Sequence, residues 1–405
     1  MFSKWKLAYP KEMWILAIAA VISSTGSSFL WPLNTIYMTQ ELGRSISISA
    51  LVLMGYAGSG VLGSLLGGYL HDRIGGKITV LIGTFMSCLC LLGLASFREW
   101  IPYIIIMALL GFSNGIYFPA LYALVKGIWP EGGRKGFNLL YISQNLGVAL
   151  GSAMGGIVAQ KTSFSVVFIV NALAFVIFFI IIAIGISKQA RDTLLESSDE
   201  TAATAVQSNG APIYLAKSTF PSLMILCFGF MFCLVIYVQW TVIIPTYMKQ
   251  LGLSISSYSL LWTINGVLIL IGSPLIALLT RRTLSTLKSQ MVTGVIFFMI
   301  CLVTLNLSSS YAGFMIGMMV ITCGEIFLWP VVPTAASELA PPGKNGIYQG
   351  MVNGFSTFGR MIGPLVGGLL FENYNFHVLV IVLMLICCMG LICFLIYDRG
   401  KLRAV

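Results

Sequence analysis

Runs of about 20 predominantly apolar residues, the length that crosses roughly 30 Å of hydrocarbon, recur along almost the whole chain. They begin near residues 13, 47, 79, 101, 138, 164, 221, 256, 288, 311, 346 and 375, which predicts twelve spanning helices. In lipid every backbone N–H and C=O must find a partner within the protein, so runs this long and this apolar form helices rather than isolated strands. The composition agrees: 58% of the residues are hydrophobic and 9% charged, against about 45 to 50% and about 25% in soluble domains. The expected fold is an all-α membrane protein.

The longest polar interval, rich in Ser, Thr, Asp, Glu and Gln, cannot bury enough surface to fold alone. It divides the chain into an N-terminal six-helix bundle over 1–187, a linker over 188–219 and a C-terminal six-helix bundle over 220–405. Placing both termini in the cytoplasm collects Arg73, Lys77, Lys126, Arg134, Lys135, Arg281 and Arg282 there. Only Arg44, Arg98, Lys161 and Lys249 are left outside, as the positive-inside rule requires. The net charge of +10 then reflects topology and contact with anionic membrane lipids, not nucleic acid. The basic N-terminus reads as leading into an uncleaved first helix. All nine cysteines fall inside the apolar runs and read as small buried groups.

The two halves repeat one another. YMTQELGRSIS from Tyr37 returns as YMKQLGLSIS from Tyr247; Pro119 and Pro130 return 211 residues later as Pro330 and Pro341; GSAMGG from Gly151 returns as GPLVGG from Gly363. A near-constant offset at separate places marks an internal duplication. Parallel repeats of this kind place a binding site at their interface near the bilayer midplane.

Deep within the apolar runs stand Glu325 and Arg360. A charge at that depth costs about 2.5 to 3.5 kcal/mol on insertion scales and requires a partner or a watery cavity. Subtracting 211 from 325 gives 114, so Asn114 is the counterpart of Glu325 in the first half. The carboxylate is thus a feature of the second half alone, either a proton site or one end of a permanent bridge to Arg360.

Between the second and third spans lies GGYLHDRIGGK, in which Gly68, Leu70, Asp72, Arg73, Gly75 and Lys77 match the signature loop of the major facilitator superfamily. The chain resembles that family over nearly its full length, and within it the twelve-span drug:proton antiporters, on CGEIFLWP, SQNLGVALGSAMGG and GRMIGPLVGG. The resemblance implies the major facilitator fold, with two pseudo-symmetric bundles and the signature loop as a conformational latch. Physically, Asp72 can accept from backbone donors at a neighbouring helix start. The glycine ladders Gly147, Gly151, Gly155 and Gly359, Gly363, Gly367, the second with Pro364, allow close helix approach and serve packing, hinging or both.

Polar and aromatic residues on helices that line the cavity in this superfamily supply its candidate lining: Trp31, Asn34, Tyr37, Asn114, Tyr117, Gln144, Asn145, Gln239, Trp240, Asn265, Phe327, Trp329 and Asn353. Aromatic faces with one carboxylate suit lipophilic, often cationic compounds. The expected function is a proton-coupled antiporter that exports small amphipathic molecules by alternating access, as a monomer in a bacterial plasma membrane. The alternative is a facilitator or a lipid or metabolite exporter of the same fold without strict proton coupling. No nucleophile–base constellation, metal cluster or phosphate loop stands out, so the expectation is no enzyme, no metal and no cofactor.

Overall fold

The computed structural model describes residues 9–161, 164–186, 219–280 and 284–398, and among these no strand occurs. The linker predicted over 188–219 lies almost entirely outside the described residues. Thirteen α-helices follow in order: α1 (Lys11–Ile36), α2 (Ile46–Ile74), α3 (Gly76–Ser96), α4 (Trp100–Ile128), α5 (Arg134–Lys161), α6 (Phe164–Gly185), α7 (Phe220–Tyr237), α8 (Gln239–Gln250), α9 (Ile255–Thr280), α10 (Leu287–Leu307), α11 (Tyr311–Leu339), α12 (Asn345–Asn373) and α13 (Phe376–Ile396). Each predicted span starts within about four residues of an observed one, because loss of the apolar run and the local caps fall together. The seventh span is divided: α7 ends at Tyr237 and α8 resumes at Gln239, although the two form one apolar stretch, Phe220–Gln250.

Caps set several boundaries. Ser45 accepts from the Ile48 N–H (3.3 Å) and Asn375 from the Val378 N–H (2.9 Å), each supplying an N-terminal donor with the acceptor its helix lacks. Gly75, at φ 90°, separates α2 from α3 in a conformation that only glycine adopts without strain.

The chain forms two compact units, Met1–Lys217 with Ala340–Gly354, and Ser218–Leu339 with Phe355–Val405. In the first, α1 packs on α5 and α6, α2 on α4, and α3 on α4 and α6; in the second, α7 packs on α13, α9 on α11, and α10 on α11 and α13. The pairings correspond, as a duplicated bundle requires. Close approach of α2 and α4 rests on glycine: Cβ atoms at Gly63 and Gly67 would meet the carbonyls of Phe112 and Ile116, and Cβ atoms at Gly111 and Gly115 those of Tyr56 and Gly60. Small residues matter here because helices in lipid associate by packing rather than by escape from water. The outer faces carry large apolar side chains, with Leu62 64%, Leu275 61% and Leu385 61% exposed. Such a surface suits hydrocarbon and not water.

Candidate functional site

Glu325 lies at the middle of α11, inside the second unit, and is 4% exposed. Its Oε2 accepts two hydrogen bonds, from the Tyr237 hydroxyl at 3.1 Å and from Asn265 Nδ2 at 3.0 Å. Asn265 Nδ2 also reaches Thr322 Oγ1 at 2.9 Å, one turn before Glu325 on α11. The buried carboxylate therefore draws donors from α7 and α9, and such charge-assisted bonds are what permit a charge to stay in apolar surroundings. Just beyond it Pro330 lacks the N–H that would serve the Ile326 carbonyl, so regular helical bonding is interrupted next to the acid.

Half-buried aromatic rings stand beside this group. Tyr237 lies 5.0 Å from Trp329 and 6.3 Å from Trp262 between ring centroids, and Trp329 also meets Phe230 and Phe298. Phe327 is buried and stacks on Phe297. Arg360, on α12 in the same unit, is exposed and close enough for its charge to act on Tyr237. Pro364 leaves the Arg360 carbonyl without its usual helical donor.

The first unit holds a neutral counterpart. Asn114 Nδ2 donates to the Tyr56 hydroxyl at 2.7 Å, and Ser87 Oγ donates to Asn114 Oδ1 at 3.1 Å. Sequence alone pairs Asn114 with Glu325, but the repeat continues further. Ser45 and Ser254 are equivalent positions, and each accepts from a backbone N–H three residues on. Their offset of 209 (254 − 45) places Tyr56 opposite Asn265. The bond between α2 and α4 in one unit and that between α9 and α11 in the other thus occupy the same place, and only the second is built on a carboxylate.

The signature loop is held by several contacts within the first unit. Asp72 accepts from the backbone N–H groups of Gly346 (2.6 Å) and Ile347 (2.9 Å), the first turn of α12. These are donors that no helical carbonyl serves. A Cβ at Gly68 would lie 2.9 Å from Ile347 Cα, and Asn353 Nδ2 bonds Ser64 Oγ at 2.7 Å, so α12 and α2 touch through Gly346 and Gly68. Lys77 turns elsewhere: its Nζ donates to the carbonyls of Ala183 (2.7 Å) and Ile186 (2.6 Å), capping the negative end of α6. Arg73 lies over the Tyr69 ring at 5.4 Å.

Other candidates are engaged inside their own bundles. Asn34 accepts from the Tyr103 hydroxyl at 3.2 Å, Tyr37 packs on Tyr103 and Phe168, and Tyr117 packs on Phe175 and Phe178. Gln144 accepts from Tyr122 at 2.8 Å, and Asn145 bonds its own helix at Tyr141. Trp240 is 2% exposed, and its carbonyl accepts from Tyr258. Gln239 Nε2 donates to the carbonyls of Val235 and Gly363, both at 2.8 Å. The glycine ladders meet equivalent partners: Gly147 and Gly151 abut Val21, Thr25 and Ser28 of α1, while Gly359, Gly363 and Gly367 abut Met231, Val238 and Gln239. Trp31 and Gly155 occupy helical positions whose surroundings lie outside the described residues. Tyr237, Tyr56 and Trp262 were not among the sequence candidates; the 209 offset from Asn265 was the signal available for Tyr56.

The Major Facilitator Superfamily model matches residues 16–282 and 225–404. The uncharacterized MFS-type transporter YttB of Bacillus subtilis (strain 168) is 41% identical, covering 96% of each chain. The quinolone resistance protein NorA of Staphylococcus aureus is 21% identical over 89% of this chain and 90% of its own. Among solved structures, the human organic anion transporter MFSD10 (TETRAN) has the same fold, with a TM-score of 0.76 at 13% identity, covering 95% of this chain and 100% of that one. The chain belongs to the Major Facilitator Superfamily, whose members are membrane transporters.

Proposed function

We propose that the protein is a proton-coupled antiporter of the plasma membrane that exports lipophilic, often cationic, amphipathic molecules, with Glu325 as the group that alternates between proton and cargo. The observation that carries this reading is a mid-helix carboxylate, 4% exposed, whose Oε2 is held by two uncharged donors, Tyr237 and Asn265. A carboxylate at this depth is costly to leave charged, so a proton or an organic cation binding there is favoured. Rings at Tyr237, Trp262 and Trp329 offer π faces beside that charge. The likeness to NorA supports drug efflux, and the basic residues support cytoplasmic termini; in that orientation the Asp72 contact with α12 serves on the cytoplasmic side as a latch. Arg360 lies on the same unit as Glu325 and engages it or the cargo as the cycle proceeds.

A facilitator without strict coupling is the competing reading, and the exposed Arg360 gives it a place for anionic cargo. Purified protein in proteoliposomes, probed with ethidium, separates the two. The antiporter accumulates ethidium several-fold on an imposed pH gradient and loses that accumulation with an uncoupler. Equal flux with and without the gradient would favour the facilitator.

A further inference from the structure

We propose that Tyr237 is the positioning residue that reads the protonation state of Glu325 and passes it to the break between α7 and α8; this rests on the proton reading of Glu325. Of the two groups on Oε2, the Asn265 NH2 donates both there and to Thr322 Oγ1 at 2.9 Å, and accepting instead would require the whole amide to flip and give up both bonds. The Tyr237 hydroxyl can donate to a carboxylate and accept from a carboxylic acid by turning about its C–O bond alone, so it is the partner that reverses its bond most readily when the proton arrives.

Its place in the chain gives that reversal a consequence. Tyr237 is the last residue of α7, Val238 forms a one-residue interruption whose backbone stays helical (φ −66°, ψ −18°) and whose N–H still reaches the Leu234 carbonyl at 3.0 Å, and Gln239 opens α8. Tyr237 holds the preceding side of the break to α11 through Glu325 at 3.1 Å. On the following side, Gln239 Nε2 ties the Val235 carbonyl to the Gly363 carbonyl of α12. Thr241 N–H reaches back only three residues to Val238, at 3.0 Å, a tightened turn of the kind that marks hinges. The Tyr237 side chain thus joins the carboxylate to this turn. Besides Glu325, the charged and titratable groups that act on Tyr237 are Tyr258 on α9 and Arg360 on α12.

Tyr237→Phe removes the hydroxyl and keeps the ring against Trp262 and Trp329. A carbodiimide that modifies protonated carboxyl groups reports on Glu325 without any need for transport, with Glu325→Gln as the background. Losing a donor favours the protonated acid, so at a pH where little of Glu325 reacts, labelling of Tyr237→Phe rises about tenfold, the equivalent of about 1.4 kcal/mol. In proteoliposomes the same variant loses most gradient-driven ethidium accumulation, a larger fractional loss than that in its ethidium counterflow. Wild-type labelling together with wild-type accumulation would overturn the assignment. Glu325→Gln measured alongside distinguishes the layers. If it retains gradient-driven accumulation, the proton reading falls and this inference with it; if it loses accumulation while Tyr237→Phe matches wild type, the role of Tyr237 alone is overturned.

Discussion

Replacing Asp72 by Asn tests how the signature loop works. In the native protein the two carboxylate oxygens divide the work, Oδ1 to Gly346 N and Oδ2 to Ile347 N, at 2.6 and 2.9 Å. Both donors belong to the first turn of α12, where the helix dipole adds a partial positive charge. Asparagine keeps one acceptor oxygen and turns an NH2 towards the other N–H. The variant forfeits one charge-assisted bond, about 1.5 to 3 kcal/mol, and the charge–dipole attraction, about 0.3 to 1 kcal/mol. With allowance for the bond that remains, the loss is about 2 to 3 kcal/mol. At 1.4 kcal/mol per factor of ten, the contact opens roughly 30 to 140 times more often. Hydrogen exchange in nanodiscs reads this directly: amides at 346 and 347 exchange faster by that factor, while those at the centre of α4 do not. Transport slows because the cycle loses its latch, and substrate binding persists. Unchanged exchange at 346 and 347 would show that the Asp72 charge does not hold this turn.

Other expected outcomes follow from the same packing. Lys77→Met strips two charge-assisted bonds from the end of α6, so the thermal midpoint falls by several degrees in a detergent-based melt, whereas Lys77→Arg recovers most of it. Gly115→Val places atoms against the Gly60 carbonyl and within 2.8 Å of the Ser64 nitrogen, so α2 and α4 must separate; the yield of folded protein by size-exclusion chromatography falls severalfold, and Gly266→Ala, with open space at its Cβ position, leaves it unchanged.

Most of the architecture was legible because hydrocarbon imposes a length and an apolar composition that a one-dimensional scan can see. The division of the seventh span was not legible: Phe220–Gln250 is apolar enough to read as one run, and Gln239, Thr241 and Pro245 within it do not mark a boundary. Glu325 announced itself as an acid in the wrong solvent. Its partners did not, since the meeting of Tyr237, Asn265 and Glu325 depends on the rotation of α7, α9 and α11 about their axes, which a run apolar on every side does not encode. Several aromatic and amide candidates named for a cavity, among them Tyr37, Tyr117 and Trp240, are buried within their own bundles, because polar and aromatic groups serve packing and lining alike. The first turn of α12 was also silent in the sequence, as backbone donors carry no residue signature; Asp72 pointed to a helix start without saying which.

The most direct test of the central claim is the proton movement itself. With wild-type protein in lightly buffered liposomes containing a pH-sensitive dye, addition of ethidium on one side drives protons the opposite way. With Glu325→Gln, ethidium still exchanges by counterflow, but the ethidium-driven pH change disappears. A Glu325→Gln protein that moves protons with ethidium as wild type does would contradict the account.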